Sequence, residues 1–139
     1  MIKENSLRLG NKVMIGGKVA TVSSVYWEGN NSNITLIRLN NSLVEEYRVS
    51  EIEPIILTDE WFEDFGFEKT AANQHRINLP YKMEGEKVMV TGITINNPLI
   101  HSYTVNAFWG EKRFKYVHEL QNLFFMIANE DLVTKKDKL

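Results

Sequence analysis

The residues able to do chemistry are few and scattered. His75, His101 and His118 lack partners at the i+2 or i+4 spacings that put two metal ligands on one strand or one helix face. The 139 residues include no cysteine, which removes disulfides and thiolate ligands, so neither a metal nor a cofactor is expected. Ser23, Ser24 and Ser50 lack the G-x-S-x-G setting of a nucleophile elbow. Gly10, Gly16 and Gly17 form neither a phosphate loop nor a dinucleotide fingerprint. Asp59, Glu60, Glu63 and Asp64 cluster, and such carboxylates can move protons or hold a cation. Early in a helix, however, acidic residues are accounted for by the helix dipole. No catalytic residue is expected, and the protein reads as a non-enzyme.

One segment sets cations beside aromatic rings: Tyr103, Phe108, Trp109, Lys112, Arg113, Lys115 and Tyr116. Aromatic faces stack bases and cations neutralise phosphate, the combination found at nucleotide and single-stranded nucleic acid sites. The plainer reading makes the rings core residues and the cations solvent-facing. A small anionic ligand would use Trp109 for stacking and Arg113 as a bidentate fork, with Tyr103 on the preceding strand and His101 one pleat beyond. Regular alternation puts Lys112 on the opposite face, so it joins only if Gly110 breaks the pattern. The candidate ligand residues are therefore His101, Tyr103, Trp109, Lys112 and Arg113. A second candidate surface lies on the last helix, where Phe125 and Met126 fall outside the apolar stripe. Exposed apolar residues mark contact surfaces, and a homo-oligomer is the simplest expectation.

The elements that must carry these residues are mostly strands. Lys12–Ile15, Lys18–Trp27, Ile34–Leu39 and Leu43–Val49 alternate between turns at Gly16-Gly17, residues 29–33 and Asn40-Asn41. In Lys18–Trp27, Val19, Val25 and Trp27 share a face with Thr21 and Ser23. Four short strands in about fifty residues suggest an SH3-like small barrel or a curled sheet. Thr58 is placed to cap a short helix through its hydroxyl, and Gly66 to stop it. From Phe67 to Tyr81 the pattern weakens, and residues 71–74 read as a loop. Glu86–Asn97 reads as one strand with a bulge at Gly92, which would bring Val88, Val90, Ile93 and Ile95 to one face. After a turn at Asn96-Asn97-Pro98, His101–Trp109 and Lys112–Lys115 form further strands. Tyr116–Asn129 is an amphipathic helix with Tyr116, Val117, Leu120, Leu123, Phe124 and Ile127 on one stripe, His118 on its surface and Asn129 as C-cap. The expected class is α+β, antiparallel and β-rich. Residues 1–66 and 67–139 are the expected segments, or one continuous domain.

Hydrophobic residues make up 43% and charged residues 24%, a globular rather than disordered composition, and a net charge of −2 gives no general attraction to nucleic acid or anionic membrane. No apolar run approaches the roughly 20 residues that span a bilayer, and the N-terminus has no apolar leader. A cytoplasmic protein is expected.

Two blocks are more specific. Ile52 to Trp61, running on to Phe65-Gly66-Phe67-Glu68, and Tyr116 to Phe125 resemble small uncharacterised proteins encoded by phages and prophages of gut Bacteroidota. Leu7-Arg8-Leu9-Gly10-Asn11 is similar to the opening of that group. The resemblance implies context rather than chemistry: an accessory protein in the host cytoplasm that binds a host component. Its sharper form is a counter-defence protein that sequesters a nucleotide-type signal or blocks a defence protein. A nucleic-acid-binding module and a minor virion or assembly component are the alternatives.

Overall fold

Glycine at both central positions of a two-residue loop allows the positive φ of a tight hairpin, and Gly16 (φ 55°) and Gly17 (φ 78°) use it. They join β1 (Lys12–Ile15) to β2 (Lys18–Trp27), with Ile15 opposite Lys18. This computed structural model describes residues 2, 6–27, 35–78, 82–84, 87–89, 92–99, 102–107 and 110–137. The chain divides into two compact units. The first comprises Met1–Ile56 with Tyr116–Leu132, and the second Leu57–Lys115 with Val133–Leu139. In this division the long helix belongs with the N-terminal strands, not with the hairpins that precede it. The class is α+β, as expected.

In the first unit β1, β2, β3 (Thr35–Leu39) and β4 (Tyr47–Arg48) form a curled antiparallel sheet in that order. The single face expected along β2 is split. The register shifts between Val22 and Ser24, and an extra residue flips the alternation. Ala20 and Val22 therefore point into the core before the shift and Val25 packs against it afterwards, whereas Val19 is exposed. The fourth strand is only two residues long. Residues 43–46 instead form a loop, because the Ser42 hydroxyl accepts from the backbone N–H groups of Val44 and Glu45. Val13, Val22 and Ile37 are sealed at the centre, with Leu39, Val49 and Ile52 around them. Each such side chain contributes about 1.5–3 kcal/mol by leaving water.

Helix α2 (Val117–Ala128) has the termini read from the sequence. The Glu119 carboxylate accepts from the Tyr116 N–H at 3.2 Å, and Asn129 closes the helix in the left-handed conformation (φ 55°). The stripe residues Val117, Leu120, Leu123 and Phe124 are buried. So are His118 and Gln121, so His118 is a core residue rather than the surface residue expected. Gln121 explains the second buried side. Its carbonyl accepts from Lys12 N (2.8 Å), and its amide donates to the carbonyls of Gly10 (3.0 Å) and Leu132 (3.4 Å). Next to it, Asn11 accepts from Arg8 N (2.7 Å) and donates to Asn122 (2.9 Å), which donates to the Ser6 carbonyl. These amides satisfy backbone groups of the N-terminal segment that no strand pairs.

In the second unit α1 (Asp59–Asp64) starts without the expected cap, since the Thr58 hydroxyl makes no capping hydrogen bond. Its end follows expectation. Gly66 adopts φ 92°, Gly66 N donates to Glu63 O and Phe67 N to Phe62 O at 2.9 Å each, and the rings of Phe62 and Phe67 meet edge to face at 5.3 Å. This is a Schellman stop with its apolar clasp. The chain then makes a hairpin, β5 (Glu68–Ala71) and β6 (Gln74–Asn78), whose turn at Ala72-Asn73 falls within the loop expected at 71–74 and whose strands were not expected. All four β5 residues are exposed, so the edge strand carries no apolar alternation to read. β9 (Gly92–Leu99), β10 (Ser102–Ala107) and β11 (Gly110–Phe114) complete a five-stranded antiparallel sheet ordered β11-β10-β9-β6-β5. The expected strand with a bulge at Gly92 is two strands in different sheets. Among the described residues β8 (Lys87–Met89) pairs with β7 (Lys82–Glu84) alone, whereas β9 joins β6 and β10. Asn96-Asn97-Pro98 lies inside β9 rather than in a turn, held there by a hydrogen bond from Asn97 N to the Asn73 carbonyl.

Candidate functional site

Hairpin pairing decides what α1 faces. Lys69 and His75 are opposite each other across β5 and β6 and so share a face. Both reach Asp59 in the first turn of α1. Lys69 Nζ lies 3.1 Å from one carboxylate oxygen and His75 Nε2 3.3 Å from the other. Glu63 is one helical turn beyond Asp59. These residues, with Phe67, Glu68 and Lys135, line a cleft of about 390 Å³, within the size range of ligand clefts. Lys135 is brought there by the returning C-terminal segment, whose backbone N–H at Lys135 donates to the Asp64 carbonyl at 2.8 Å.

His75 is the unusual member. It is 3% exposed and stacks on Phe62 with ring centroids 4.2 Å apart. Neither ring nitrogen makes a hydrogen bond among the described residues, and both are sealed from solvent. The Asp59 oxygen is close enough for an ion pair but lies off the N–H direction. Burial pushes the His75 pKa below its ordinary value. Asp59 opposes that shift and Lys69 adds to it. His75 is therefore neutral at pH 7. Its ring forms part of the cleft lining.

The charges at the rim divide into two groups. Asp59, Lys69 and His75 are engaged with one another. Glu63, Glu68 and Lys135 have no ion-pair partner among the described residues. Three carboxylates against two ammonium groups leave the lining with one net negative charge. Among the described residues no three His, Asp or Glu side chains are grouped to hold a metal ion, and no helix is long and apolar enough to cross a membrane.

The ligand set read from the sequence is dispersed. Ala107 pairs with Gly110, so odd positions of β10 share a face with even positions of β11. Tyr103 thus shares a face with Lys112 and Phe114, and Arg113 lies on the other face with Thr104. Parity carried across the turn without this inversion had put Arg113 and Tyr103 together. Tyr103 is 3% exposed and its hydroxyl donates to the Leu57 carbonyl at 3.1 Å, which makes it a core residue rather than a stacking surface. Lys112 and Arg113 are exposed, and Arg113 Nε lies 3.4 Å from Glu111. His101 and Trp109 lie outside the described residues. On α2, Phe125 is half-buried with the Arg8 guanidinium 3.7 Å above its ring, so of the two candidate contact residues Met126, 70% exposed, is the one open to a partner.

Sequence reasoning noted Asp59, Glu63 and His75 but left them apart. The i,i+4 spacing of Asp59 and Glu63 was the available signal. The reach of His75 to Asp59 depends on the Gly66 stop and a hairpin that has no periodicity. Comparison of the chain with protein-family models, with curated proteins and with solved structures finds no match.

Proposed function

We propose that the chain is an accessory binding protein that captures a host component, and that the cleft beside α1 is where the second unit does so. The observation that supports this reading is the construction of the cleft. Charged side chains of both signs line an opening above a buried imidazole whose nitrogens are out of reach of a bound molecule. Such a lining recognises polar groups by complementary charge. The phage resemblance supports the setting, the cytoplasm of an infected host, and the value of capture without catalysis.

The test is a titration of ¹⁵N-labelled protein with a panel of nucleotides, amino acids and polyamines, read by amide chemical shifts. The expected result is saturable shifts confined to residues 59–75 and the segment around Lys135 for at least one class. Shifts that never touch those residues, or a spectrum unmoved by the whole panel, would remove the cleft as the binding site.

A further inference from the structure

The charges that remain unengaged in the cleft carry more information than its size. Asp59 spends one oxygen on Lys69 and directs the other at His75. Of the charged residues that line the cleft, Glu63, Glu68 and Lys135 have no ion-pair partner among the described residues. A ligand bearing mainly phosphate would meet two carboxylates for each free ammonium. A ligand with two cationic groups and one carboxylate would satisfy all three residues. Beneath them His75 is 96% buried by its side chain and lacks a hydrogen-bond partner, so a neutral ring sits where a cation would otherwise cancel the acidic rim.

We propose, building on the binding reading of the cleft, that it takes a small basic amino-acid-type ligand, with its guanidinium or ammonium groups on Glu63 and Glu68 and its carboxylate on Lys135. Charge-assisted hydrogen bonds of this kind are the strong ones. Protonation of His75 in acid would neutralise the lining. The charged groups that line the cleft with it are Asp59 and Glu63 from α1, Lys69 and Glu68 from β5, and Lys135 from the C-terminal segment, of which Asp59 and Lys69 act on the ring. Binding should therefore weaken as pH falls below the ordinary histidine range.

The experiment compares L-arginine with agmatine, which lacks the carboxylate, and with spermidine and GMP, by amide-shift titration of the intact chain. Arginine should bind at the cleft, and agmatine several-fold more weakly. Lys135→Ala should erase the difference between those two. Glu63→Gln and Glu68→Gln should each weaken arginine about tenfold, as loss of a charge-assisted contact implies. Both positions are exposed, so unchanged thermal melting of these variants separates lost recognition from lost folding. Agmatine binding as tightly as arginine to the wild type, or no effect of Glu63→Gln and Glu68→Gln, would overturn the ligand assignment. GMP shifting the cleft residues in place of arginine would overturn the assignment and leave the cleft as a binding site. Absence of cleft shifts with every probe would overturn both.

Discussion

Replacing Gln121 tests whether a single buried amide ties α2 to the N-terminal segment of its unit. The side chain is 5% exposed and makes three hydrogen bonds, to Lys12 N, Gly10 O and Leu132 O. Gln121→Ala leaves one donor and two acceptors without their partner. A buried polar group left unpaired costs about 1–3 kcal/mol, and carbonyls with a second lone pair fall at the low end. Water reaching the partly buried Lys12 and Gly10 sites reduces the total, which gives about 2–4 kcal/mol. Urea denaturation followed by far-UV circular dichroism should show the midpoint falling with an unchanged slope. Gln121→Glu keeps the acceptor for Lys12 N but turns an oxygen towards two carbonyls, and should destabilise at least as much as alanine. Met126→Ala, on the same helix but 70% exposed, is the control and should stay within about 0.5 kcal/mol. A Gln121→Ala midpoint indistinguishable from that control would refute the assignment of these three bonds to stability.

Three further outcomes follow from the same structure. Gly66→Ala should cost about 1 kcal/mol by thermal melting: an added Cβ would meet nothing within 4 Å, so the penalty is the positive φ alone. Stability should hold from pH 8 to 7 and fall below that. His75 and His118 both have pKa values lowered by burial, so the unfolded chain takes up protons first as pH drops through the ordinary histidine value. The loss levels off once pH passes the folded values. Urea midpoints measured across pH 5 to 8 check it, and a midpoint rising in acid would contradict the sign. Leu43→Ser and Val44→Ser, at side chains 85% and 89% exposed, should leave the melting temperature unchanged, and a clear drop would place them in contact with something not accounted for.

How much of this was legible beforehand depends on the range of the interaction. The Gly16-Gly17 hairpin, the Gly66 stop and both ends of α2 were read correctly because each is set by residues within a few positions: a glycine free to take positive φ, an apolar stripe that begins at Tyr116, an asparagine in the left-handed conformation. β5 was missed because an edge strand with four exposed residues has no period to detect. The bulge in β2 was hidden because it inverts the alternation that the reading relied on.

By itself the sequence determined the class, an antiparallel α+β protein, and the positions of its helices, since these follow from local propensity and hydrophobic period. Tertiary structure alone decided which parts belong together. It assigned α2 to the N-terminal strands through amides that bond across 109 and 111 positions of chain, from Gln121 to Lys12 and from Asn122 to Asn11. It also set His75 against Asp59. Neither could be read in advance, because polar side chains show no periodicity and their partners are chosen by strand register and chain return, which only the folded backbone supplies.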